Sequence, residues 1–133
     1  MYLPPVVAVI DRDRLTAYGL ALLLRDWGYE AVVGVSAAEI FGRSEGAGRP
    51  LAAIVADDRG GSGTCGGREA AALARLALRP VPTILLVSTD SAGGSKEADV
   101  TGFARIPKPV EPDVLHTLLR TVVEEPLRKS QAI

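Results

Sequence analysis

Five short aliphatic runs divide the chain, and each is closed by a polar residue or a break. They read V-V-A-V-I at 6–10, E-A-V-V-G-V at 30–35, L-A-A-I-V-A at 51–56, T-I-L-L-V-S at 83–88 and F-A-R-I at 103–106. A short run bounded by turn residues and apolar almost throughout suits a strand buried on both faces. Segments of helical periodicity lie between the runs. Strands alternating with helices of this length imply an α/β fold, with a parallel sheet covered on both sides.

The intervening helices have readable ends. Asp13 is placed to cap a first helix reaching about Trp27, where Gly28 is a natural stop. Its apolar residues fall in two rows, Leu15, Tyr18, Leu22 and Ala17, Leu20, Leu24, Trp27, a wide arc that suits a helix pressed against a sheet. Ser36 and Glu39 fit a capping box for a short second helix that fades into Gly42–Pro50. Arg68–Leu78 reads as a third helix, ended by Pro80 and Pro82. Gly93, Gly94 and Gly102 leave room for only about two turns near Ser95–Val100. A last helix opens at Glu111-Pro112 and carries the stripe Leu115, Leu118, Leu119, Val122, Val123. Pro126 is expected to stop it, leaving residues 127–133 as a short frayed tail. The reading is one domain, residues 1–126, without internal repeats.

Composition narrows the function. At 133 residues the chain is long enough for one domain with a real core, which should be aliphatic, since only 5% of residues are aromatic. Lys and Arg number 15 against 16 Asp and Glu, so no basic stripe favours nucleic acid and no acidic tail is present. A single cysteine, Cys65, excludes a disulfide framework and a cysteine-based zinc site. No apolar segment reaches membrane-spanning length, and Met1–Pro5 lacks a basic signal-peptide start, so a soluble cytoplasmic domain is expected.

The polar residues that close the runs carry the chemistry. In an open parallel sheet, ligands bind beyond the carboxyl ends of the strands. Asp11 closes the first run, Asp57 the third and Ser88 the fourth, and Lys108 follows the fifth. One aspartate at a strand end usually just begins a loop. Four strands delivering two carboxylates, a hydroxyl and an ammonium to one rim argue for a site. The turn after the first run, Asp11-Arg12-Asp13-Arg14, has no G-x-G-x-x-G fingerprint, G-x-x-x-x-G-K-[ST] occurs nowhere, and an acid-lined rim repels a pyrophosphate unless a cation is present. A small enzyme working with Asp57 and Asp58 as paired carboxylates is disfavoured, because adjacent strand residues point to opposite faces. Asp58 is read instead as a loop acid lining the rim. His116 is expected at the surface of the last helix, and Trp27 over the core beneath the first.

The chain resembles a response-regulator receiver domain, the phosphoacceptor half of a two-component system. The matching pieces are V-V-A-V-I-D at 6–11, A-A-I-V-A-D at 52–57, I-L-L-V-S at 84–88 and K-P-V at 108–110 followed by an amphipathic helix. The resemblance runs from about Val6 to Val123, and the intervals between Asp11, Asp57 and Lys108 are normal for the family. It implies a flavodoxin-like (βα)5 three-layer sandwich with strand order 2-1-3-4-5. It also implies that Asp57 takes a phosphoryl group from a histidine kinase or phosphotransfer domain, and that Lys108 and Ser88 contact that group. Mg²⁺ would be held by Asp11, Asp57 and the backbone carbonyl of Arg59, and the Lys108–Pro109 peptide would be cis. Such a domain is not an enzyme beyond its self-catalysed phosphotransfer. A homodimer fits the family; a nucleic-acid or membrane partner for this chain does not.

The sequence departs from the family pattern at four places. Arg12 stands where a second acid, normally a metal ligand, follows Asp11. It could pair with Asp57 or face solvent. Counted from Pro82, Val87 rather than Ser88 falls at the switch hydroxyl. Arg105 replaces the usual aromatic three residues before the lysine. The fourth helix is short. These departures keep a second reading open: a pseudo-receiver that binds protein partners without cycling phosphate.

Overall fold

The structure, a computed structural model, describes residues 3–58, 66–88 and 104–131, with side chains as far as Glu124. Expectations for Arg59, Cys65, the helix near 95–100 and Phe103 lie outside the described residues. The elements follow the alternation of the sequence. They are β1 (Val6–Ile10), α1 (Arg14–Asp26), β2 (Glu30–Gly34), α2 (Ala37–Arg43), a 3-10 turn (Glu45–Ala47) and β3 (Leu51–Asp58). Then come α3 (Gly66–Ala77), β4 (Thr83–Val87), β5 (Ala104–Pro107) and α4 (Pro112–Gln131). The five strands pair in parallel in the order β2-β1-β3-β4-β5.

Pleat alternation sorts the strand residues into two cores. Val7 and Val9, Ala53 and Val55, and Ile84 and Leu86 face α1 and α4, joining Ala17, Leu20, Leu24, Leu115 and Leu119. Val6, Ala8 and Ile10, Ile54 and Ala56, and Leu85 face α2 and α3, joining Ile40, Ala70 and Leu73. The residues of β1 and the middle of β3 are all buried, as expected of strands with helices on both sides. β2, at one edge, is only half-buried along most of its length.

Helix ends are set by particular residues. Asp13 accepts from the backbone N–H groups of Leu15 and Thr16 at 3.0 and 3.3 Å and from the Thr16 hydroxyl at 3.0 Å, so it caps α1. Ser36 accepts from the Glu39 N–H at 3.2 Å, while the Ala37 N–H donates to Glu69 of α3 at 2.8 Å. The carboxylate of Glu39, expected to complete a capping box, instead lies over Gly34 and 3.7 Å from Arg43. At the opposite end of the sheet, Glu45 accepts from the Leu51 N–H, and Arg79 donates to Glu45 and to the Leu51 carbonyl, all at 3.0 Å. On the β2 edge, Arg43 donates to the Val33 carbonyl at 2.9 Å.

Three expectations are corrected. α4 does not stop at Pro126 but continues to Gln131. Proline's fixed φ is helical; what it removes is one backbone hydrogen bond, and the helix runs on past that gap. α1 is not covered across its whole apolar arc: Leu15, Tyr18 and Leu22 are 82%, 62% and 48% exposed. Only the Ala17, Leu20, Leu24 row meets the sheet, because α1 lies beside the edge strand and, among the described residues, nothing packs beyond it. His116 is not a lone surface residue. Its ring stacks on Trp27, with centroids 4.3 Å apart and planes within 2°.

Candidate functional site

The rim is built by continuing the pleat of the first core. After Val7 and Val9 the next residue of that face is Asp11; after Ala53 and Val55 it is Asp57; after Ile84 and Leu86 it is Ser88. Ile10 pairs with Ala56, so the two aspartates that follow are neighbours across adjacent strands, roughly 5 Å apart along the sheet. Both are almost wholly buried, at 5% and 7% exposure. Two carboxylates this close, out of water, repel each other unless a cation joins them. Lys108 supplies one: it follows β5, its N–H donates to the Val87 carbonyl at 2.8 Å, and its ammonium forms an ion pair with Asp57. The Lys108–Pro109 peptide is cis.

Asp11, Ser88 and Lys108 also line one cleft of about 590 Å³, with Asp13, Thr16, Gly19 and Pro109. Ser88 therefore shares a cavity with the lysine. Val87 packs with the second core on the opposite face. Of the two candidates, Val87 by counting and Ser88 by the family resemblance, Ser88 is the one beside the rim.

Asp58 differs from its expectation. It is the last residue of β3 rather than a loop acid, and it is 2% exposed. Alternation turns it toward the α3 side, away from Asp57. Two adjacent acids thus serve opposite faces, and the paired-carboxylate enzyme reading has no geometric basis. Asp11 has a local role as well, since its Oδ1 accepts from the Asp13 N–H at 2.8 Å and shapes the turn into α1. Arg12, between them, is exposed, and Arg105 is half-buried on β5. Among the described residues no three Asp, Glu, His or Cys side chains come together to hold a metal ion. The donor set on the rim is Asp11 and Asp57, which matches the one or two carboxylates that Mg²⁺ uses. Sequence reasoning did not anticipate the Trp27–His116 stack, because it joins segments far apart in the chain.

Fold and rim together define a class: a doubly wound parallel α/β domain with two buried acids and a lysine beyond the ends of its central strands. Solved response-regulator receiver domains share this fold. The chain matches one from Clostridium thermocellum with a TM-score of 0.76 and 16% identity, over 97% of this chain and 99% of that one. It matches a receiver protein from Burkholderia phymatum with a TM-score of 0.71 and 24% identity, over 90% and 95%. Full-length FixJ from B. japonicum matches with a TM-score of 0.74 and 23% identity, and the overlap covers 98% of this chain but 64% of that one. No protein-family model matches the sequence, and no curated protein matches it. The chain has the CheY-like receiver fold. No helix among the described residues is long and apolar enough to cross a membrane.

Proposed function

We propose that this chain is a signalling receiver whose Asp57 carboxylate accepts a phosphoryl group from a phosphohistidine on a kinase or phosphotransfer partner. The observation that carries the reading is the Asp57–Lys108 ion pair, on a rim that Asp11 and Ser88 share. An Asp57 oxygen attacks phosphorus, the phosphorus–nitrogen bond breaks, and the freed imidazole nitrogen keeps the electron pair and takes up a proton. Lys108 then balances charge on the phosphoryl oxygens, and the Ser88 hydroxyl donates to one of them. Mg²⁺, held by Asp11 and Asp57, would offset the repulsion between the anionic nucleophile and the anionic phosphoryl group. The domain acts through a partner and turns over no separate substrate.

Arg12, exposed where the family pattern has a second acid, favours the second reading, a pseudo-receiver that keeps the fold for protein binding alone. One experiment divides them. The protein is incubated with acetyl phosphate and Mg²⁺ and its intact mass is measured. The receiver gains one phosphoryl group and Asp57→Asn does not. A folded wild-type chain that gains none is the pseudo-receiver.

A further inference from the structure

Beside the rim, on the outer flank of α1, lies a second cleft of about 550 Å³. Its floor comes from Ala21 of α1 and from Ala31 and Val33 of β2, and its wall from Tyr18 and Leu22. Val35, just past β2, extends the apolar surface and is 49% exposed. Exposed apolar side chains gathered around a hollow mark an interaction site more often than scattered ones do.

Its charge is one-sided. Arg14, Arg25 and Arg43 line it, while the acids are Glu39, which already lies near Arg43, and Asp11, buried at the far end. Arg14, Tyr18, Leu22 and Arg25 stand at helical offsets of four, four and three residues, so they form one stripe with a cation at each end. Among the described residues neither Arg14 nor Arg25 makes an ion pair. The stripe is about 16 Å long, or three helical turns.

We propose that this groove docks an acidic amphipathic helix. The apolar face of such a helix fills the hollow over Tyr18, Leu22 and Val33, and acids flanking that face meet Arg14 and Arg25. The Val33 carbonyl already accepts from Arg43, so the face offers side chains rather than an open strand edge. A bilayer is flat and leaves a concave cleft unfilled. The inference does not depend on Asp57 accepting a phosphoryl group.

The test uses the full chain and a fluorescein-labelled designed helix with leucines at i, i+3, i+4 and i+7 and glutamates beside them. A second peptide carries lysine in place of every glutamate. Anisotropy should show saturable binding of the acidic peptide, at least tenfold tighter than the lysine peptide and weakened by added salt. Arg14→Glu/Arg25→Glu and Leu22→Asp should each weaken it at least tenfold while circular dichroism stays unchanged, and amide shifts should map to α1 and β2. If either variant unfolds, Arg14→Gln/Arg25→Gln and Leu22→Ser replace it. Equal binding of both peptides, indifference to these substitutions, or shifts elsewhere would overturn the proposal. So would arginine-dependent sedimentation with anionic vesicles in place of peptide binding, which makes the face a membrane contact. Amides of α1 and β2 that shift with protein concentration alone would make it a contact between two copies of this chain.

Discussion

The α-carbon of Gly66 sits against the backbone of Asp57: a β-carbon added there would overlap the Asp57 carbonyl oxygen and stand 2.9 Å from its carbonyl carbon. The first turn of α3 is thereby pressed onto the strand that carries the central carboxylate. Any side chain at residue 66 has to move that strand or that helix. Gly66→Ala should cost about 1–3 kcal/mol, as overpacking does. Gly19, inside α1 with nothing within 4 Å, is the matched control. Gly19→Ala should add about 0.5–1 kcal/mol, because it removes only backbone freedom. Urea unfolding of the two variants checks the opposite signs.

The Asp57 side chain is 3% exposed, whereas that of Lys108 is 34% exposed. Removing the lysine leaves a carboxylate out of water beside Asp11. Lys108→Met should therefore destabilise by about 1–3 kcal/mol, less than for a wholly buried pair because the ammonium is partly solvated. Asp57→Asn removes one of two like charges and should change stability by less than about 1 kcal/mol. The double variant should recover most of the loss, and a double-mutant cycle measured by chemical denaturation gives the coupling directly.

Trp27 is the only tryptophan, so its emission reports one place. His116 lies flat on it. A ring stacked on the indole keeps water off that face. His116→Ala should shift the Trp27 emission maximum to the red as water reaches the exposed face. An unchanged spectrum would mean that the two rings do not stack in solution.

Leu78, just past α3, has φ +60° and is 91% exposed. A branched side chain in the left-handed region is strained, and here burial gives no compensation. Leu78→Gly should raise stability by about 0.5–1 kcal/mol, readable as a higher melting temperature.

Much of this was legible before any coordinates. The strands were, because a strand covered on both sides has to be apolar at successive positions, and five such runs with polar ends leave few other folds. Asp13 announced its cap through its place before an apolar period. The rim followed from the rule that strand ends of a parallel sheet share one edge. The rest depends on information that periodicity lacks. Whether Ser88 or Val87 faces Asp57 turns on pleat phase, and a one-residue shift reverses it. The apolar arc of α1 looks the same whether or not something covers its outer row; the position of β2 at the sheet edge decides. Pro126 marks a lost hydrogen bond, which a packed helix tolerates.

The guanidinium that Arg43 lays over the Val33 carbonyl bears on how the chain behaves when crowded. A bare outer strand invites other molecules to stack on it and grow fibrils. Here that strand is five residues long and the acceptor of its fourth residue is taken. Concentrated solutions should stay dispersed for as long as that arginine keeps its place.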